Sequence, residues 1–142
     1  MSLSRSIIPL LLLLLMGCNK DNILSKVVEV DPEGWLSPAV LHFEVDQSWS
    51  GFDMELIMRC VQLTGVDSVE LMVSTTTPDG VLWSEPFTLY PISDGQDVEI
   101  VEIPYRTSIE WSQEGRYTLS IQPLEAYKGI TAVGANIIFQ DK

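Results

Sequence analysis

Carboxylates are the most abundant residues here that can do chemistry, with 20 Asp plus Glu in 142 residues. Two pairs are spaced so that one acid and one base could flank a glycosidic bond, Glu99/Glu102 and Asp53/Glu55. Nothing in their surroundings marks either pair as buried, and the ordinary role of such residues is a solvated acidic face. Asp94-Gly95-Gln96-Asp97 offers carboxylate and carbonyl oxygens to a calcium ion. It lacks calcium-loop spacing and reads as a turn. The sole histidine, His42, excludes multi-histidine metal sites. It falls between Leu41 and Phe43 on the outward phase, with Glu44 two residues on as a salt partner. No nucleophile elbow, phosphate loop or His-Glu-x-x-His occurs. No catalytic residue, metal or cofactor is assigned, and the expectation is a protein that is not an enzyme. The 8 Lys plus Arg leave a net charge of −12, which argues against nucleic acid as a partner.

Four tryptophans remain as candidate contacts. Trp35 and Trp49 lie in the loop-like segments Pro32-Glu33-Gly34-Trp35 and Gln47-Ser48-Trp49-Ser50-Gly51. Three roles are open to them: stacking on sugar rings, anchoring a protein partner, or packing over a sheet end. Trp83 shares a phase with Phe87 and Leu89 and is expected in the core. Trp111 is expected to cover one end of the fold.

The N-terminus carries a second kind of chemistry. Arg5 is followed by the apolar run Ile7 to Met16, too short to span a bilayer and suited to the core of a secretory signal. The run ends in Leu15-Met16-Gly17-Cys18, which resembles the lipobox of bacterial lipoproteins. That resemblance implies a diacylglycerol on the Cys18 sulfur, cleavage between Gly17 and Cys18, and acylation of the new amine. A plain signal peptide or a short uncleaved anchor is the alternative. Several acyl chains on one residue anchor far more firmly than a single chain does. Asn19, where an Asp would favour inner-membrane retention, points to the outer membrane, with the face it occupies left open. With Cys18 acylated, Cys60 has no partner within the chain and reads as a small buried hydrophobe.

The elements that must position these residues read as strands. Residues 1–17 are the signal, 18–25 a lipidated tether and 26–142 one domain. Within it, apolar residues alternate in short runs broken by Gly, Pro, Asp and Asn. The runs are 26–30, 39–45, 52–62, 67–75, 81–90, 96–106, 115–123 and 133–139. Thr76-Thr77-Pro78-Asp79-Gly80 and Ser93-Asp94-Gly95 read as turns. Pro86 places its run at an edge or bulge. The apolar phase passes from Val98/Ile100 to Val101/Ile103/Tyr105, which predicts a β-bulge near Ile100-Val101. A helical turn is expected at Glu125-Ala126-Tyr127. The fold class is therefore all-β: a two-sheet antiparallel β-sandwich, Ig-like or jelly-roll-like, of about eight strands.

Several segments together resemble the GldH-type gliding-motility lipoproteins of the Bacteroidetes envelope. They are the lipobox at Cys18, Trp35-Leu36-Ser37-Pro38-Ala39-Val40-Leu41-His42-Phe43, the Pro78-Asp79-Gly80 turn, Trp111 through Gly115-Arg116-Tyr117-Thr118-Leu119, and Gly129-Ile130 through Val133-Gly134-Ala135-Asn136-Ile137. The chain departs from that pattern in the short loop after Pro91 and at Gly65-Val66-Asp67-Ser68-Val69. As a divergent relative it is expected to be a non-catalytic cell-envelope lipoprotein. It would be a component of a gliding-motility or secretion-type assembly, with envelope proteins as partners. The alternative is a surface glycan-binding lipoprotein of a polysaccharide-uptake system, which requires Trp35 or Trp49 to be exposed.

Overall fold

The computed structural model describes residues 22–61, 66–91 and 98–140. The signal segment with Gly17 and Cys18, and the Ser93–Asp97 turn, lie outside the described residues. Among the described residues eight strands form in chain order: β1 (Ile23–Glu29), β2 (Ala39–Val45), β3 (Trp49–Val61), β4 (Val69–Thr76), β5 (Leu82–Leu89), β6 (Val98–Trp111), β7 (Gly115–Pro123) and β8 (Ile130–Ile138). They build two four-stranded sheets, ordered β1-β8-β3-β6 and β2-β7-β4-β5. Every pairing is antiparallel. Among the described strands only β4 and β5 are joined as a hairpin within one sheet; every other consecutive pair crosses between sheets. That order is the jelly roll, which decides between the two sandwich types the alternation permits.

Period-two patterning explains the core. Leu41, Phe43 and Val45 of β2, Met54, Leu56, Met58 and Cys60 of β3, and Val69, Leu71 and Val73 of β4 all point between the sheets and are buried. Tyr117, Leu119 and Ile121 of β7 join them, as do Ala135 and Ile137 of β8. One end of the sandwich is aromatic. Trp49 stacks on Trp111 with centroids 5.8 Å apart, and Trp111 stacks on Tyr117 at 4.3 Å. Phe43, Phe52 and Phe139 fill the remaining space edge-on or tilted.

Four local expectations change. β1 begins at Ile23, so the last residues assigned to the tether are strand; Ile23 to Ser25 pair with Ile138 to Asn136. No bulge occurs at Ile100-Val101: the β3–β6 register is unbroken from Val61↔Val98 to Glu55↔Pro104. Val98 and Ile100 simply face outward while Val101 and Ile103 face inward, so there is no change of phase to absorb. The irregularities fall between Trp49 and Glu55, opposite Pro104–Trp111. There Gly51 (φ 68°) and Ser108 (φ 55°) adopt left-handed backbone. Glu125-Ala126-Tyr127 is not helical. Tyr127 instead makes an antiparallel bridge to Trp35, with reciprocal backbone hydrogen bonds of 2.9 and 3.2 Å. β8 begins at Ile130, three residues earlier than its alternation indicates, because a register shift against β3 between Ala132 and Ile130 breaks the phase there.

The edges are guarded. Pro86 sits in β5 and Pro104 in β6, each an edge strand where a missing N–H is tolerated and further pairing is discouraged. On the opposite side Lys26 of β1 reaches across the sheet gap. Its ammonium donates to the His42 carbonyl of β2 and lies 5.3 Å from the Phe43 ring centroid. A charge directed inward at an edge disfavours pairing with another chain.

Candidate functional site

The residues singled out for chemistry scatter over the sandwich. His42 is exposed, with Nδ1 3.1 Å from Thr118 Oγ1 of the neighbouring β7. It does not pair with Glu44, which accepts from Arg116 Nε at 2.6 Å. Cross-strand partners on one face are closer than residues two apart along a strand, so the register chose both contacts. Cys60 is buried in the core, and burial, with a smaller contribution from Glu99, pushes its thiol up to about 11.

The carboxylate pairs are redistributed. Glu99 and Glu102 are three apart on β6 and therefore face opposite ways. Asp53 accepts from the Ser108 backbone N–H at 3.0 Å and from Gln140 Nε2 at 2.8 Å. The acidic residues brought together are Glu55 of β3 and Glu102 of β6. Both accept from the side-chain amide of Asn136, at 3.1 Å in the case of Glu55. The Asn136 amide oxygen accepts from Ser25 of β1. Asn136 is 4% exposed, so this polar row satisfies a buried amide and ties all four strands of the first sheet. It joins residues 111 positions apart, which no local spacing could reveal. Among the described residues no group of three or more His, Cys, Asp or Glu could hold a metal ion.

Of the four tryptophans, Trp35, Trp49 and Trp111 pack against the sandwich, and Trp83 departs from expectation. Trp35 is 2% exposed, with Nε1 donating to the Ser37 carbonyl at 2.7 Å. Trp49 is half-buried in the aromatic end, against Phe43, Phe52, Trp111 and Phe139. Neither Trp35 nor Trp49 presents the open ring that sugar stacking needs. Trp83 is the exposed one, at 46%, contrary to its expected place in the core. Its phase is inward, but β5 is an edge strand, so the ring lies at the open side of the sandwich. The Arg106 guanidinium covers it, 4.5 Å from the ring centroid, and forks onto Glu85 through two 2.8 Å hydrogen bonds. Tyr105 also donates to Glu85. The Arg106 fork holds the Glu85 carboxyl below its usual range, and burial with the adjacent Glu85 pushes Tyr105 up. Beside this cluster a cavity of about 240 Å³ opens between Trp83, Tyr105, Ile109 and Trp111.

The two outer faces differ in chemistry. The second sheet presents His42, Glu44, Arg116, Ser120, Gln122, Ser74, Ser84 and Thr88, a polar surface broken chiefly by Val40, Met72 and Leu82. The first sheet presents Val98, Ile100, Ile57, Ala132, Gly134 and Val27 across its four strands. Ile100 is 65% exposed and Val98 53%. The Asn136 row borders this apolar stripe on one side. An Arg59–Glu29 ion pair at 3.7 Å crosses it, in the row Ile100, Arg59, Ala132 and Glu29, with Arg59 Nε held by Thr131. The alternation of β6, apolar on both phases, was the sequence signal for this face.

Strand order and surface together define a β jelly roll with one polar and one partly apolar face. No family model and no curated protein matches the chain. Among solved structures it is similar to a mosquito-larvicidal Cry4Aa toxin from Bacillus thuringiensis, at 13% identity and a TM-score of 0.46, covering 83% of this chain and 21% of that one. It spans about a fifth of that toxin. The VP2 subviral particle of infectious bursal disease virus is similar at 11% identity, with a TM-score of 0.40 and coverage of 84% of this chain and 33% of that one. A carbohydrate-binding module solved in complex with β-1,4-galactotriose follows at 12% identity and a TM-score of 0.35, covering 82% of this chain and 88% of that one.

Proposed function

We propose that this chain is a non-catalytic lipoprotein of the cell envelope. It is anchored through Cys18 at the outer membrane and contributes its jelly roll to a protein assembly. The observation that carries the reading is the outer face of the first sheet. An antiparallel sheet that faces only water alternates polar residues outward, as the second sheet does. The first sheet instead leaves Val27, Val98 and Ile100 exposed beside the buried small residues Ala132 and Gly134. Exposed apolar residues set among carboxylates, an amide and an ion pair have the chemistry of a protein interface. The lipobox at Leu15–Cys18 supports the anchor, and the resemblance to gliding-motility lipoproteins supports an assembly of the motility or secretion type.

Site-specific photocrosslinking in cells tests this. A crosslinker at Ile100 is expected to capture a discrete envelope protein, while one at Ser120 on the polar face captures none. Equal yields from the two faces, or none from Ile100, would refute the docking face. Palmitate labelling equal in wild type and Cys18→Ala would refute the anchor.

A further inference from the structure

We infer that the aromatic end of the sandwich faces the bilayer, with Val81, Leu82 and Trp83 in its headgroup layer. This rests on the lipid anchor at Cys18 proposed above and adds an orientation to it. β1 begins at Ile23, and Asn22 is already part of the folded body, its carbonyl accepting from the Phe139 N–H at 2.7 Å. Cys18 is four residues before Asn22. Four residues span at most about 14 Å when fully extended. The end of the sandwich where β1 starts is therefore held within about 14 Å of the lipid glycerol.

The β4–β5 turn lies at that same end, as a continuous run of contacts shows. Phe139, next to Asn22, packs on Trp49; Trp49 stacks on Trp111, and Trp111 on Tyr117. Two residues before Tyr117, Gly115 lies against Pro78, the first residue after Thr77 in the turn. Directly after that turn come Val81, Leu82 and Trp83, 58%, 65% and 46% exposed. Three consecutive exposed apolar residues, one an amphipathic indole, suit the boundary between headgroups and acyl chains.

Charge selects the lipid. The same end carries Asp46, Asp79, Glu110 and Glu114 exposed, against Arg106 and Arg116. This surface suits zwitterionic headgroups and is repelled by anionic ones. Strands of seven to nine residues then carry the opposite end, with Tyr90 and Leu124, roughly 25–30 Å above the membrane. The apolar face of the first sheet stands upright, open to a lateral partner.

The test uses lipidated protein purified from membranes and inserted into phosphatidylcholine vesicles carrying a TEMPO label on the headgroup. Tryptophan emission is expected to be quenched in the wild type and much less in Trp83→Phe. A Tyr90→Trp reporter placed in the Trp83→Phe background is expected to stay unquenched. Equal quenching with and without Trp83, or quenching at position 90, would overturn the orientation while leaving the anchor intact. A purified protein whose intact mass lacks acyl groups, and which does not float with the vesicles, would overturn anchor and orientation together.

Discussion

Replacing Gly134 with alanine tests how β1 is held. A β-carbon built on Gly134 lies 2.0 Å from the Lys26 carbonyl oxygen, 2.7 Å from the Val27 Cα and 2.9 Å from the Lys26 carbonyl carbon. All three are backbone atoms, so no side-chain rotation relieves the clash. β1 must withdraw from β8 along the stretch where Lys26, Val27 and Val28 pair with Ala135, Gly134 and Val133. Overpacking of this kind costs about 1–3 kcal/mol, and a rigid backbone neighbour puts it at the upper end. Reduced freedom of the unfolded chain returns about 0.4–1 kcal/mol. The net loss is about 2 kcal/mol, or roughly 8 °C in Tm for a domain of this size. Urea unfolding and calorimetry would measure it, and hydrogen exchange should show the β1 amides losing protection. Gly34→Ala, where nothing lies within 4 Å of the added carbon, is the control and should stay within about 0.5 kcal/mol. Gly134→Ala within that same range, with β1 still protected, would refute the close-approach argument.

Other perturbations follow from the same contacts. Asn136→Asp replaces a shared donor with a third carboxylate beside Glu55 and Glu102; it should cost about 2–3 kcal/mol at neutral pH and recover part of that loss in acid, as pH-dependent urea midpoints would show. The Cys60 thiol should resist Ellman's reagent at pH 8 until the protein unfolds. Because its folded value lies above its unfolded one, the stability it contributes is complete below about 9 and is lost as pH rises toward about 11; Cys60→Ala should flatten that slope. A double-mutant cycle on Glu85 and Arg106 should give a coupling of about 0.5–1 kcal/mol, small because both groups are partly exposed. Its sign follows from the lowered Glu85 value: the contribution is present above about 4.5 and disappears as pH falls below it.

Much of this architecture is legible residue by residue. β2 and β7 coincide with their alternating runs, and the inward set Met54, Leu56, Met58 and Cys60 follows directly from period two. Pro86 announces an edge or a bulge because its missing N–H excludes a regular central place, and the strand order makes it an edge. The candidate site was far less legible. Trp35 has the sequence surroundings of a loop aromatic, yet a bridge to Tyr127, 92 positions away, closes over it. Trp83 has the phase of a core residue, yet its strand has no neighbour on one side. The phase tells which way a side chain leaves the strand. It does not tell whether anything stands there to cover it.

The sequence by itself determines that the body is built of short antiparallel strands with one buried face each, and it carries at Leu15–Cys18 a motif that resembles a lipobox. Both are local properties: a two-residue period and a four-residue motif. The tertiary structure alone decided the strand order β1-β8-β3-β6 over β2-β7-β4-β5. It thereby brought Ser25, Glu55, Glu102 and Asn136 into one row, exposed Trp83 while burying Trp35, and placed the start of β1 at the same end as the β4–β5 turn. Those outcomes depend on which strand lies beside which, a choice made by the packing of side chains far apart in the chain, and no short window of residues contains it.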